Sequence, residues 1–364
     1  MSIKHIVMSG GSLYGFIFYG ILRSLIEKKM VSLHEVTTVH ATSVGCIIMI
    51  MFVILGDIHS LDLYLIDRPW HNVMSLSIVY LLRCMDAKGM YDMNVIESVF
   101  LPVFNAKDIP LSITMLEFYA LTHIEFHFFT ADVQTHKRVD LSYRSHPDWT
   151  VLECVYASCC LPILFKPFCK DGVVYTDGGI NCNCALDVLI DDKEIVIEDR
   201  KQILCITIDN CPKLKENFTF LEYILKLVSN IINQNAHVKY TTDVHFIRVE
   251  QTMTLLEINR VCSSAIERKK LIDCGIAMGN EYFLTIKATD GDHDSVDKKA
   301  MQEQKKEEVV QEQKEDQAIN SKIQNEFHSE IKEEKEKEKT NPLIIASTVR
   351  FCTEYVTSYF VSQK

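Results

Sequence analysis

The chain has no long hydrophobic run. Its longest, Cys46–Leu55, stops well short of the roughly 18 residues a membrane span needs. It has no surplus of positive charge: 38 Lys and Arg stand against 49 Asp and Glu, a net charge of -11. That balance argues against nucleic acid as a main partner. The 13 cysteines show no paired-spacing framework, and neither Cys159-Cys160 nor Cys182-x-Cys184 fits a usual zinc spacing. Most read as small apolar core residues in a reducing compartment. There is no internal repeat, no calcium loop, and no leader-like start, because Met1–Lys4 runs straight into a strand-like segment. These absences lead us to expect a cytoplasmic protein, at most peripherally attached to a membrane. With 364 residues, 48% of them hydrophobic, the chain has ample material for a large core.

What is present is organised around Val36–Cys46. Val36–His40 is apolar and β-branched enough for a short buried strand, and the length of the following apolar run, Cys46–Leu55, favours a buried helix. Between them lies Ala41-Thr42-Ser43-Val44-Gly45, one residue away from G-x-S-x-G. That pattern belongs on a sharp strand-to-helix turn. The turn lifts the serine hydroxyl clear of the sheet edge and sets it at the positive end of a helix. Ala41 is small enough for the first position.

Upstream, His5–Met8 reads as a first buried strand, followed by Ser9-Gly10-Gly11-Ser12-Leu13-Tyr14-Gly15 and an apolar helix, Phe16–Lys29. Glycines between strand and helix let backbone N–H groups face an anion, either a phosphate or the oxyanion of an acyl transfer. The glycine spacing does not fit a dinucleotide fingerprint. Downstream we expect helix over most of Ile58–Leu82, a helix at Met93–Phe104, strands at Leu111–Met115 and Ile124–Val133, and a helix from Pro147 to Cys160. A strand from Gly172 to Thr176 delivers Asp177-Gly178-Gly179, with Asp132 read as a turn or cap residue. Strands at Ile203–Ile208 and Val244–Val249 then alternate with helices at Phe218–Asn233 and Arg268–Leu284. Such alternation implies a parallel sheet covered on both faces. The expected domain spans residues 3–288. A Glu/Lys/Gln-rich stretch, 289–341, reads as a solvated helix or disordered linker, and 342–364 as an amphipathic segment that docks on the domain or lies on a membrane.

Three elements thus fall at the ends of expected strands: a Gly-rich loop, a Ser on a tight turn, and an Asp on a Gly-Gly turn. In order and context they resemble the patatin-like phospholipase family, which pairs G-G-G-x-[RK]-G with G-x-S-x-G and D-G-[GA]. Here those motifs look like Gly10–Gly15, Ala41–Gly45 and Asp177–Gly179. Ala157-Ser158-Cys159-Cys160-Leu161-Pro162, Phe165-Lys166-Pro167 and Asn183 resemble further family positions, and the resemblance covers about Ile3–Leu284. It implies a three-layer α/β/α fold with a mostly parallel central sheet. It also implies hydrolysis of fatty-acyl esters of phospholipids by a serine–aspartate dyad: Ser43 as nucleophile, Asp177 as general base, and the amides of Gly10, Gly11 and Ser12 as oxyanion hole. No metal or cofactor is required, and the expected partner is an acyl-lipid substrate at a membrane surface. The chain departs from the pattern at Ala41, at Ser12 in place of a glycine, and at Tyr14 in place of a basic residue. A Ser-His-Asp esterase using His237 or His245, and an inactive lipid-binding relative, are the alternatives.

Overall fold

The computed structural model describes residues 2–75, 86–208, 218, 220–236, 238–250 and 257–290. The charged stretch from residue 291, the 342–364 segment, His237 and part of the Ile58–Leu82 region lie outside them. Eight strands form one sheet: β1 (His5–Met8), β2 (Thr38–Thr42), β3 (Glu125–Asp132), β4 (Arg138–Ser142), β5 (Phe168–Lys170), β6 (Val173–Asp177), β7 (Ile203–Ile208) and β8 (His245–Val249). The order runs β5-β6-β3-β2-β1-β7-β8, with β4 also paired to β3. β1, β2, β3, β7 and β8 are mutually parallel; β4, β5 and β6 join antiparallel. The fold is a mixed α/β architecture with a mostly parallel central sheet flanked by helices.

The register of β3 places the site. Its residues Thr38-facing Glu125 through Thr42-facing Phe129 pair with β2, while Thr130, Ala131 and Asp132 pair with Asp177, Thr176 and Tyr175 of β6. β4 pairs across His127–Ala131, overlapping both. A strand has two edges, so β2 and β6 share one edge of β3. β2 leaves that edge after Thr42, and β6 arrives head-on and stops at Asp177.

The strands between helical layers are buried on both faces and read as apolar runs: every residue of β2 and β7 is buried. Helix α1 (Gly15–Glu27) follows β1, and α2 (Val44–Leu55) follows β2. α1 packs against the long helix Ala265–Asp290 with the backbones touching at Gly20 and Gly275, where no Cβ fits. Cys46, Cys154, Cys159, Cys160, Cys182, Cys184, Cys205 and Cys262 are buried thiols of this core. Among the described residues no helix is long and apolar enough to cross a membrane.

Three local expectations change. Leu111–Met115 is not a strand: Thr114 and Glu117 form a capping box that opens a helix at Met115–Thr122. The helix expected from Pro147 begins at Val151, because Thr150 and Glu153 form a second capping box. Ile58–Asp62 is a short helix that passes into a π-turn, Leu63–Asp67, before Pro69. Asp132 is the turn residue expected, accepting from Gln134 N–H, Thr135 N–H and the Thr135 hydroxyl.

Candidate active site

Ser43 stands between β2 and α2 with φ +52° and ψ -124°. These are the angles of the first central residue of a type II′ turn, strained for a residue with a Cβ. The turn is tight because Gly45 crosses the end of β1: a Cβ there would lie 2.5 Å from the Met8 carbonyl oxygen. Ala41 is fully buried within β2, so its Cβ is accommodated where the motif has glycine. The Ser43 N–H donates to Ser158 Oγ at 2.9 Å, and Ser158 Oγ donates to the Phe129 carbonyl at 2.6 Å. One buried hydroxyl therefore ties the turn to β3. Ser158 was legible in the sequence only as part of a motif; its contact with the turn spans 115 residues of chain.

Asp177 ends β6. Gly178 follows in a place no other residue can occupy, since a Cβ would fall 1.9 Å from the Phe129 carbonyl oxygen. The Asp177 and Gly178 N–H groups donate to the carbonyls of Cys160 and Ser158, at 3.1 and 3.2 Å. Asp177 is 4% exposed. Its Oδ2 accepts the Ser43 hydroxyl at 2.8 Å and its Oδ1 accepts the Gly179 N–H at 2.7 Å. Burial raises its pKa to about 6, against the opposing pull of the Gly179 amide and the Ser43 hydroxyl. The structure thus brings Ser43 and Asp177 together from 134 residues apart.

The Gly-rich loop lies alongside. A Cβ on Gly10 would sit 3.1 Å from Ser43 Cβ. The Gly10 N–H, however, donates to the Asn183 carbonyl at 3.2 Å and is not available as an anion donor. In this structure that amide is taken up by a tertiary bond to the turn after Asp177. The Gly11 and Ser12 N–H groups take no partner among the described residues. Ser12 has φ +49°, so the position does require the left-handed region that glycine enters freely. Tyr14, in the position of the family's basic residue, is buried.

No described histidine is part of this cluster. Among the described residues no histidine hydrogen-bonds to Ser43 or Asp177, and His245 Nδ1 lies 3.2 Å from the Tyr282 hydroxyl. His237 is outside the described residues. No group of three or more metal-ligating side chains occurs among the described residues either.

Alongside this fold, with a serine on the turn after one parallel strand and an aspartate ending its antiparallel neighbour, the sequence of residues 6–190 matches the family model of the patatin-like phospholipases. The chain belongs to the patatin-like phospholipase family. It is similar to "Uncharacterized protein R571" of Acanthamoeba polyphaga mimivirus, 21% identical over 301 residues, covering 78% of this chain and 95% of that protein. It is also similar to "Probable lipid hydrolase 463L" of Invertebrate iridescent virus 6, 24% identical over 187 residues, covering 51% of this chain and 63% of that protein. Among solved structures it resembles VipD from Legionella pneumophila, with a TM-score of 0.40 and 13% identity, covering 77% of this chain and 67% of that one.

Proposed function

We propose that the protein is a serine lipid acyl hydrolase that cleaves fatty-acyl esters of phospholipids through Ser43 and Asp177. The observation that carries this reading is the 2.8 Å bond from the Ser43 hydroxyl to a buried carboxylate whose pKa is raised to about 6. An ordinary carboxylate is a weak base toward a hydroxyl. Raising its basicity while keeping it ionised above pH 6 suits it to accept the serine proton.

Ser43 Oγ attacks the ester carbonyl carbon as its proton passes to Asp177 Oδ2. The carbonyl π electrons move to the oxygen, which becomes the oxyanion. The tetrahedral intermediate collapses, and the departing alkoxide takes the proton from Asp177, leaving Ser43 acylated. A water molecule, deprotonated by Asp177, then attacks the acyl carbon, and the fatty acid leaves as Ser43 recovers its proton. The Gly11 and Ser12 amides stabilise the oxyanion, each such donor contributing about 3–4 kcal/mol in the transition state. The positive end of α2 adds to this at Ser43. No step calls for a metal or cofactor. The viral relative named a probable lipid hydrolase supports the substrate class.

The test is fatty-acid release from phosphatidylcholine vesicles by wild type, Ser43→Ala and Asp177→Asn, with thermal melting as the folding control. Both variants are expected to lose release by at least about 1,000-fold while remaining folded. Wild-type-like release by either folded variant overturns the dyad. The competing reading, a lipid-binding relative without turnover, is favoured by the strained Ser12 and the missing basic residue at Tyr14. It predicts lipid binding with no labelling of wild-type Ser43 by a fluorophosphonate.

A further inference from the structure

The oxyanion cradle is one donor short of the three amides its loop was expected to supply, because Gly10 N–H is bound to the Asn183 carbonyl. The same residue carries an unexplained side chain. Asn183 is 1% exposed, and its carboxamide nitrogen Nδ2 is buried with no hydrogen-bond partner. Buried polar groups in folded proteins nearly always have partners, so a carboxamide left without one on the side of the Ser43–Asp177 pair calls for a partner that arrives with a ligand.

Two glycines locate the carboxamide. A Cβ on Gly10 would lie 2.6 Å from Asn183 Oδ1 and 3.1 Å from Ser43 Cβ. A Cβ on Gly179 would lie 3.0 Å from Asn183 Oδ1 and 3.0 Å from Asp177 Oδ1. Oδ1, not Nδ2, is therefore the carboxamide atom packed against Gly10 beside Ser43 and against Gly179 beside Asp177. Gly10 and Gly179 are bare where the side chain of Asn183 passes. A carboxamide rotated by half a turn fills the same volume, so its N–H₂ can face either way.

We infer that Asn183 Nδ2 donates a hydrogen bond to the carbonyl oxygen of the bound ester, taking the place of the Gly10 amide beside those of Gly11 and Ser12. This rests on the acyl-hydrolase reading and makes Asn183 a catalytic residue of it. The bond strengthens as charge develops on the oxygen, so Asn183 acts mainly on the chemical step.

The full chain is assayed with a soluble p-nitrophenyl ester, comparing wild type, Asn183→Leu, Asn183→Asp and Ser43→Ala. Asn183→Leu keeps the volume without donors, and Asn183→Asp keeps the shape without the N–H₂. Both retain the main-chain carbonyl that holds Gly10. The expected result is a kcat lowered about 100- to 1,000-fold with KM changed less than about threefold, and an unchanged or higher melting temperature for Asn183→Leu. Labelling of Ser43 by a fluorophosphonate should slow in parallel, since its P=O oxygen enters the same cradle. If Ser43→Ala is inactive while a folded Asn183→Leu or Asn183→Asp keeps kcat within fivefold of wild type, this inference is overturned and the dyad stands. If Ser43→Ala retains activity, the hydrolase reading fails first and this one with it.

Discussion

Replacing Asp177 with Asn should make the protein more stable and inactive at the same pH. The carboxyl is moved from 3.8 to about 6 by burial. The folded state therefore holds this proton more tightly than the unfolded chain does. Below about pH 4 both states are protonated and the group is neutral toward folding. Between about pH 4 and pH 6 the unfolded chain ionises while the folded state still holds the proton, and stability falls. At about 1.4 kcal/mol per tenfold change in proton affinity, the loss levels off at about 3 kcal/mol above pH 6. Asn removes that loss without breaking the local bonds. Its carbonyl still accepts the Gly179 N–H, and its amide donates to the Ser43 hydroxyl, which needs only to rotate. Thermal melts of wild type and Asp177→Asn from pH 4 to 8.5 should coincide at the acid end and separate by roughly 5 °C at pH 8, with the variant higher. The same titration predicts that wild-type kcat/KM rises with pH and levels off above an inflection near 6. A variant less stable than wild type at pH 8, or a difference that does not vary with pH, would refute the claim that burial sets the basicity of Asp177.

Two further substitutions test the scaffold around the pair. Ser158→Ala strands the Ser43 N–H and the Phe129 carbonyl, which should lower stability by about 1–3 kcal/mol and reduce kcat; a wild-type melting temperature and rate would show that the turn is held by other means. Ser12→Gly removes a left-handed strain of about 1 kcal/mol and should raise the melting temperature by a few degrees with hydrolysis retained. A fall in melting temperature would mean that the Ser12 side chain has a favourable role outweighing its backbone strain.

Local pattern carried the parts of the fold that are buried on both faces. β1, β2 and β7 are short apolar runs with no exposed face to blur them, and the Ser43 turn follows from the small residues that let strand pass to helix at once. The antiparallel strands were harder. β4 and β5 are brief and partly exposed, and nothing within Arg138–Ser142 or Phe168–Lys170 names a partner. Leu111–Met115 alternates like a strand, yet the capping box at Thr114 and Glu117 overrides that alternation. Within the site, Ser43 and Asp177 were legible because their turns need glycines at fixed offsets. The use of Gly10 N–H by Asn183 was not, since it joins positions far apart in sequence through a main-chain bond that leaves no mark on residue type.

Positioning and basicity of the carboxylate have one physical origin. β6 takes up the edge of β3 that β2 abandons, so its last residue faces the Ser43 turn. To continue past that point the chain must press Gly178 onto the Phe129 carbonyl, whose lone pairs also receive Ser158 Oγ from the serine side. That close approach aims the Asp177 oxygens at Ser43 and Gly179 and, by the same packing, keeps water from them. A looser turn admitting a side chain at 178 would both misdirect the carboxylate and hydrate it, returning its pKa toward 3.8. A serine–histidine pair can separate these functions, because imidazole is already basic near neutral pH and needs only orientation. A carboxylate acting as the proposed base without histidine cannot, and the closest backbone approach in this site, at Gly178, falls beside Asp177.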